Sequence, residues 1–519
     1  MADVKREIER KYETAAGTPL PDLTGVAGTA AAVPRGVTEL DAVYYDTHDL
    51  RLAAGAVTLR RRTGGADAGW HVKFPVSPGV RDEIGAPLSE TLPDPLAGLI
   101  RSRVRDRPVV PVVRLLSSRD VHHLNDDRGR LLAELSVDTV LAERLTGDGR
   151  GATATWTEIE VELADGGDPA FLDAVDERLA AAGVHPSSSA SKLARALAAT
   201  APGQPPAENA AQGAPATEAR EEGAGDTAGA QVLAYVRQQI ETIITLDPAV
   251  RRELPGAVHR MRVATRRLRS AFTTYRKVLD RTVTDPVRAE LKWLAAELGT
   301  GRDHEVLEAR LFHHVDGVEP TLLLGPVRGR LERWGAAERA ASHERILAAL
   351  DGERHLALLG ALDALLADPP LLPAAGRDAA GPLTSAVLKD HHRLAVRIRH
   401  ALDLPPGHDR DLAMHEARKA AKRARYAAEA ARPALGKPAK RLARRVKAVQ
   451  SLLGDHQDGV VARDALRALA VHAHGAGESA FTWGLLYGRE EAEAALLEAR
   501  LPRVWGRASR ARLRSAHGS

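Results

Sequence analysis

Glu7-Ile-Glu-Arg-Lys11 sets three charges two residues apart, so in an extended chain Glu7, Glu9 and Lys11 leave from one side of a strand. The next 190 or so residues repeat the habit. Arg60 and Arg62 share a face of Val57-Thr-Leu-Arg-Arg-Arg62, and Lys73 lies in Gly69-Trp-His-Val-Lys-Phe74. Arg81 and Glu83 share a face, as do Glu134, Ser136 and Asp138, and then Glu158, Glu160 and Glu162 of Thr157-Glu-Ile-Glu-Val-Glu-Leu163. Short alternating segments broken by Gly, Pro and Asp turns predict strands. A single such face can simply stay wet on an exposed sheet. Several in one domain argue against that, and if these faces line a closed barrel, the lumen holds carboxylates on one side and cations on another. A divalent metal on hard oxygen ligands can bridge phosphate oxygens there, while Arg and Lys neutralise the remainder.

Beyond this segment the texture changes. The span 201–229 is dominated by Ala, Gly, Pro, Gln and Glu and has almost no large apolar residue, so it reads as a flexible linker between a front domain, 1–200, and a back domain, 230–519. The net charge of +4 hides an asymmetry across that boundary, with a balance of −10 over residues 1–229 and +14 over residues 230–519. A basic half of that size is the footprint of an anionic partner. Aromatic residues are 3% of the chain, which argues against the stacking platforms of single-stranded nucleic acid, and no helix-turn-helix or finger pattern for duplex DNA appears, so no specific nucleic-acid partner is expected. The 519 residues include no cysteine, which excludes disulfides, zinc–thiolate sites and thiol nucleophiles. Met1-Ala-Asp-Val-Lys-Arg-Glu7 has no apolar stretch, and no run approaches the ~18 apolar residues of a membrane span. The expected location is the cytoplasm.

The front residues carry a family resemblance. Glu7-Ile-Glu-Arg-Lys11, Tyr45-Asp-Thr47, Leu59-Arg-Arg-Arg62, Trp70-His-Val-Lys73, Arg81-Asp-Glu83, Arg119, Asp138, Glu158-Ile-Glu-Val-Glu162 and Ser191-Lys192, taken in order, resemble a CYTH domain of the triphosphate tunnel metalloenzyme superfamily. The resemblance implies an eight-stranded antiparallel β tunnel with helices, so that the whole chain is an α+β multidomain protein. It implies Glu7, Glu9, Asp138, Glu158, Glu160 and Glu162 as ligands of Mg²⁺ or Mn²⁺. Lys11, Arg60, Arg62, Lys73, Arg119 and Lys192 would hold a triphosphate, with Glu7, Glu9, Lys11 and Lys73 at the catalytic centre. A metal-activated water would attack a terminal phosphorus, with catalysis resting on positioning and charge neutralisation.

The back domain is Ala/Leu/Arg-rich and helical in period. Ala257-Val-His-Arg-Met-Arg-Val-Ala-Thr-Arg-Arg-Leu-Arg269 aligns with Ala413-Met-His-Glu-Ala-Arg-Lys-Ala-Ala-Lys-Arg-Ala-Arg425, an internal repeat. His259, Arg262, Arg266 and Arg269 match His415, Arg418, Lys422 and Arg425, four positions that span an arc of roughly 80° on a helix. Met261, Leu268, Phe272 and Tyr275 lie on the opposite side, toward the core. A second motif follows each copy, Leu298-Gly-Thr-Gly-Arg-Asp303 and Leu453-Gly-Asp-His-Gln-Asp458. Two basic helices related by pseudo-symmetry predict one continuous cationic groove. His259, His304, His415 and His456 are candidate metal ligands, but their Arg and Lys neighbours repel a divalent cation, so anion binding fits better.

These repeats resemble the CHAD domain, a conserved-histidine helical domain often found behind a CYTH domain. That likeness implies two pseudo-symmetric four-helix bundles and the binding of inorganic polyphosphate, with targeting to polyphosphate granules. His259, Arg262, Arg266, Arg269, Arg302, His415, Arg418, Lys422, Arg425 and His456 are the polyphosphate-binding candidates. The chain departs from the family at His304, where an acidic residue is common after the Arg-Asp pair. The function expected is a metal-dependent hydrolase of inorganic triphosphate or short-chain polyphosphate coupled to a polyphosphate-binding domain. The alternatives are a non-catalytic polyphosphate-binding protein, or a CYTH enzyme using thiamine triphosphate or ATP.

Overall fold

The computed structural model describes residues 3–14, 20–201 and 226–510, apart from the side chains of residues 300, 302–303 and 337–339. It resolves two compact units, Met1–Glu218 and Ala219–Ser519. The expected linker falls, over 202–225, outside the described residues.

The first unit is a closed antiparallel tunnel. Its strands are β1 (Asp3–Thr14), β2 (Ala31–Asp46), β3 (Thr58–Thr63), β4 (Gly69–Ser77), β5 (Val80–Ala86), β6 (Val110–Asn125), β7 (Leu131–Arg144) and β8 (Thr153–Leu163). They follow the order β5-β4-β3-β2-β6-β7-β8-β1. β1 closes the ring by pairing its first half, Asp3 to Ile8, with β5 and its second half, Glu9 to Thr14, with β8. A two-residue strand β9 (His185–Pro186) adds to β1 at Tyr12 and Glu13. Prolines within the long strands stand at register shifts, Pro34 in β2 and Pro75 in β4, where a missing N–H breaks no ladder bond.

The apolar cores lie outside the tunnel wall. Helices α1 (Arg51–Ala54) and α2 (Asp94–Val104) bring Leu52, Leu96 and Ile100 onto Leu59, Trp70, Val72 and Ile84 of β3, β4 and β5. Helix α3 (Ala170–Ala181) packs Phe171, Leu172 and Val175 against Tyr12, Ile159 and Val161. Helix α4 (Lys192–Ala199) seats Leu193 and Ala196 among Val113, Leu115 and Val140. Each such buried leucine or valine contributes roughly 1.5–3 kcal/mol. Alternation along β1 then turns Glu7, Glu9 and Lys11 into the lumen, while Arg6 and Arg10 stay on the outer wall beside Asp82, Asp173 and Asp176.

The second unit is all helical: α5 (Ala228–Arg251), α6 (Ala257–Thr274), α7 (Arg281–Glu297), α8 (Thr300–Asp316), α9 (Val327–Asp351), α10 (Glu353–Ala367), α11 (Ala380–Asp403), α12 (His408–Ala430), α13 (Arg432–Gly475) and α14 (Phe481–Ser509). Helix α5 begins at Ala228, inside the span expected as linker, because the Thr227 hydroxyl accepts the Ala230 N–H at 3.2 Å. Four rods of each half correspond in chain order: α5 with α11, α6 with α12, α7–α8 with α13 and α9 with α14. The first α7–α8 rod breaks at Gly299, whereas α13 runs through the matching Gly454 and bends instead at Gly436 (φ 58°), near Pro438. One apolar core joins α5, α6 and α7 to α11, α12 and the first part of α13, through Met261, Leu268, Phe272, Val387, Ala417 and Val446. A second core joins α8 and α9 to the later part of α13 and the start of α14, through Leu311, Leu331, Leu466 and Trp483. Among the described residues no helix is long and apolar enough to cross a membrane.

Candidate functional site

The tunnel encloses a cavity of about 530 Å³ lined by both carboxylates and cations. Glu7, Glu9 and Lys11 enter from β1, Arg60 and Arg62 from β3, and Lys73 from β4. Arg119 enters from β6, Glu160 and Glu162 from β8, and Lys192 from the first turn of α4. The cations meet the carboxylates directly. Arg119 donates two parallel hydrogen bonds to Asp138, both 2.7 Å, and a third to Glu160 at 2.9 Å. Lys192 Nζ lies 2.9 Å from Asp138, 2.6 Å from Glu158 and 2.6 Å from Glu160. Lys11 pairs with Glu160 and, at 3.0 Å, with Glu9. Lys73 pairs with Glu7 at 2.6 Å and Glu83 at 2.8 Å.

The six expected ligands therefore do not form one cluster. Asp138, Glu158 and Glu160, all buried, bring carboxylate oxygens within 4.8 Å of one another, and Glu9 is tied to them through Lys11. Glu7 stands with Glu83 around Lys73, and Glu162 pairs with Lys5. The Asp138–Glu158–Glu160 group is a hard-oxygen donor set, and its chemistry fits Mg²⁺ or Mn²⁺.

At Lys11, Glu160, Glu7 and Glu83 burial opposes the charge, and the partners decide the outcome. For Lys11, Glu160 and Glu9 outweigh burial and hold the ammonium above its usual range. Burial likewise works against the Glu160 carboxylate, but Lys11, Lys192 and Arg119 hold it well below the usual range. Glu7 behaves differently. Burial, then a hydrogen bond shared with Glu83, pushes its carboxyl up to about 8, against the pull of Lys73. Glu83 overcomes its own burial through His71, Arg60 and Lys73, and stays ionised.

Three lining features were missed by sequence reading. His71 touches Glu83 through Nδ1 and hydrogen-bonds through Nε2 to the Asp67 carbonyl at 2.8 Å. Asp67, in the β3–β4 turn, pairs with Arg62, whose guanidinium is pushed down to about 9 by burial and by Arg60 and Arg119. Tyr44 of β2 also faces the cavity. The Tyr45-Asp-Thr47 motif serves the fold instead: buried Asp46 accepts the N–H groups of Thr47, Leu52 and Ala53 at 2.7–2.9 Å, and Tyr45 packs 4.8 Å from Trp70.

In the helical unit the repeated helices α6 and α12 border a cavity of about 1100 Å³. His259, Arg262, Arg266 and Arg269 line it from α6, and His415, Arg418 and Lys422 from α12. Further cations come from helices other than α6 and α12: Arg288 of α7, Arg310 of α8, and Lys389, Arg393 and Arg397 of α11. Glu490, wholly buried, fixes Arg310 through two bonds of 2.6–2.7 Å.

Three candidates fall outside this arrangement. The Arg302 side chain is outside the described residues. Arg425 does not line the cavity; it pairs with Glu429 at 3.1 Å and lies over the Tyr426 ring at 4.8 Å. His456 is only 1% exposed and sits between carboxylates rather than among cations, 3.4 Å from Asp411 and 3.2 Å from Glu498. Arg463 and Arg410 neutralise those two acids at 2.7 Å each, so the group is a closed structural network. Leu453 and His456 share one buried face at i, i+3 spacing, the signal that marks His456 as a core residue. The run Lys437, Lys440, Arg441, Arg444, Arg445 and Lys447 faces outward and contributes nothing to the cavity lining.

A closed antiparallel tunnel lined by opposed carboxylates and cations, followed by a duplicated helical unit around a basic cavity, defines the class. Family models match both units, the CYTH domain over residues 5–197 and the CHAD domain over residues 234–467. The chain belongs to the CYTH–CHAD proteins, and CYTH tunnel enzymes act on triphosphates with divalent metal ions. Two proteins of Mycobacterium tuberculosis, Uncharacterized protein MT2285 and Uncharacterized protein Rv2226, are each 37% identical over 503 residues, spanning 93% of this chain and 92% of theirs. Among solved structures, PptA from Streptomyces chartreusis is similar at 22% identity over 54% of this chain and 99% of its own, with a TM-score of 0.46. The CHAD domain from the plant Ricinus communis is similar at 26% identity over 55% and 93%, with a TM-score of 0.43.

Proposed function

We propose that the tunnel hydrolyses inorganic triphosphate or a short phosphate chain with Mg²⁺ or Mn²⁺, and that the helical cavity binds longer polyphosphate. The observation that carries this reading is the mutual neutralisation inside the tunnel. Lys11, Lys73, Arg119 and Lys192 are each held by carboxylates in a cavity of about 530 Å³. A linear phosphate chain and a divalent ion are the ligand pair that takes both charge sets at once. The cations turn to phosphate oxygens, and Asp138, Glu158 and Glu160 hold the ion. When bound, the ion would neutralise phosphate charge and lower the pKa of a coordinated water.

The chain's own residues do the positioning. Arg119 offers a planar fork suited to two phosphate oxygens, and Lys11, Lys73 and Lys192 act as point charges along the chain. Low dielectric in the enclosed lumen strengthens each contact. The helical unit, joined in the same chain, raises the concentration of phosphate chains near the tunnel and carries the protein to polyphosphate granules.

The test is phosphate release from inorganic triphosphate with Mg²⁺, with Mn²⁺ and with chelator, beside a Glu7→Ala/Glu9→Ala variant. Metal-dependent release that the variant lacks supports a tunnel hydrolase. No release from triphosphate, ATP or thiamine triphosphate would move the chain to the binding class.

A further inference from the structure

The described lining of the helical cavity holds thirteen Lys and Arg side chains and three carboxylates, Asp390, Glu416 and Asp458. A carboxylate in an anion-binding cavity repels the ligand, so each of the three calls for an explanation. Glu416 is 45% exposed and pairs along its own helix with Lys419 at 2.7 Å. Asp458 is 35% exposed and 3.4 Å from Arg418. Both are ordinary wet rim charges. Asp390 is not: its side chain is 5% exposed, beneath the layer of cations.

Three helices meet at that carboxylate. Oδ2 accepts the Thr274 hydroxyl of α6 at 2.6 Å. Oδ1 accepts from Arg393 Nη1, one turn along α11, at 3.2 Å, and stands 3.0 Å from Arg423 Nε of α12. Arg393 is 40% exposed and Arg423 22%, so both guanidiniums extend from the buried carboxylate into the cavity. Burying a carboxylate is costly unless it is paired, and here the pairing falls on two groups that face the ligand. Long guanidinium side chains crowded among like charges splay apart unless something holds them. A fixed carboxylate underneath sets their direction before the ligand arrives.

We propose that Asp390 is the positioning residue of the basic cavity, held by Thr274 and aiming Arg393 and Arg423 at the phosphate chain. This rests on the reading of the cavity as a polyphosphate site.

The sign of one substitution separates positioning from simple charge. Asp390→Asn makes the cavity more positive, so electrostatics alone would tighten anion binding. Positioning requires the opposite. Binding of labelled linear inorganic polyphosphate to the full chain is measured across a salt series for the unaltered protein, Asp390→Asn and Glu416→Gln. Asp390→Asn is expected to bind about tenfold more weakly, with a shallower salt dependence because two guanidiniums engage less well. Glu416→Gln deletes the same charge at an exposed position and is expected to bind about twofold more tightly. Asp390→Asn binding as tightly as the unaltered chain, or more tightly, overturns the proposal. If that variant does not fold, Thr274→Val decides, since it removes the 2.6 Å donor and no charge. About threefold weaker binding at an unchanged melting temperature supports the proposal, and unchanged binding overturns it. Failure of the unaltered chain to bind polyphosphate at all would overturn the cavity reading itself, and this proposal with it.

Discussion

Lys192, the first residue of helix α4, places its ammonium 2.6 Å from the Glu160 carboxylate of strand β8. The tunnel's charge balance thus depends on a helix packed from outside, whose start is held by the Ser191 hydroxyl accepting the Ala194 N–H at 3.1 Å. Lys192→Met is expected to lower kcat/KM for triphosphate by about 30- to 160-fold, as loss of a charge-assisted contact worth about 2–3 kcal/mol requires. Steady-state kinetics on the metal-loaded protein check this. An unchanged kcat/KM would remove Lys192 from the substrate site.

The Asp138–Glu158–Glu160 group makes a separate prediction. Glu160→Gln combined with Asp138→Asn is expected to weaken Mn²⁺ binding by at least about tenfold, read by titration calorimetry without substrate. Equal affinity in the variant would place the metal elsewhere, with the Glu7 and Glu83 carboxylates the next candidates.

Glu7, raised to about 8, predicts a pH dependence whose sign is fixed. Below that value the carboxyl is neutral and leaves the Lys73 ammonium to a phosphate oxygen; above it the carboxylate competes for Lys73. Triphosphate affinity is expected to fall by at most about tenfold per pH unit above 8 from this group and to level off below it. Calorimetry of triphosphate binding in two buffers of different ionisation enthalpy should show proton uptake near pH 8, and Glu7→Gln should abolish that share of it.

In the helical unit, Arg262 and Arg418 occupy equivalent places in the repeat and both line the cavity. Arg262→Ala with Arg418→Ala is expected to weaken polyphosphate binding and to flatten the plot of log affinity against log salt by about two. A slope identical to the parent would return both helices to ordinary solvated faces.

His456 should behave oppositely. Buried between Asp411 and Glu498, it is expected on substitution by alanine to cost about 2 kcal/mol of stability in denaturant unfolding. The salt slope of polyphosphate binding should not move. A loss of binding with stability intact would restore it to the ligand site.

Much of this protein was legible in one dimension because strands and helices have fixed periods. Two-residue alternation put Glu7, Glu9 and Lys11 on one side of a strand and Arg60 and Arg62 on one face of another, and the lumen receives all five, with Lys73. The 3.6-residue period put His259, Arg262, Arg266 and Arg269 on one face and Met261, Leu268 and Phe272 on the other, and burial follows that division. Period says which side of an element a residue leaves from; it is silent on what stands opposite. Only the packing of helix α4 against β6 and β7 brings Asp138 and Lys192, 54 positions apart, to 2.9 Å. Only the packing of α13 among its neighbours turns His456 away from the cations and onto Asp411 and Glu498. Arg425, outside the cavity that its repeat counterpart Arg269 lines, pairs with Glu429, an i, i+4 partner that the helical period itself allows. Direction is a local property of the backbone, so the sequence by itself determined it. Partnership in this protein depends on long-range closure and burial, and the tertiary structure decided that.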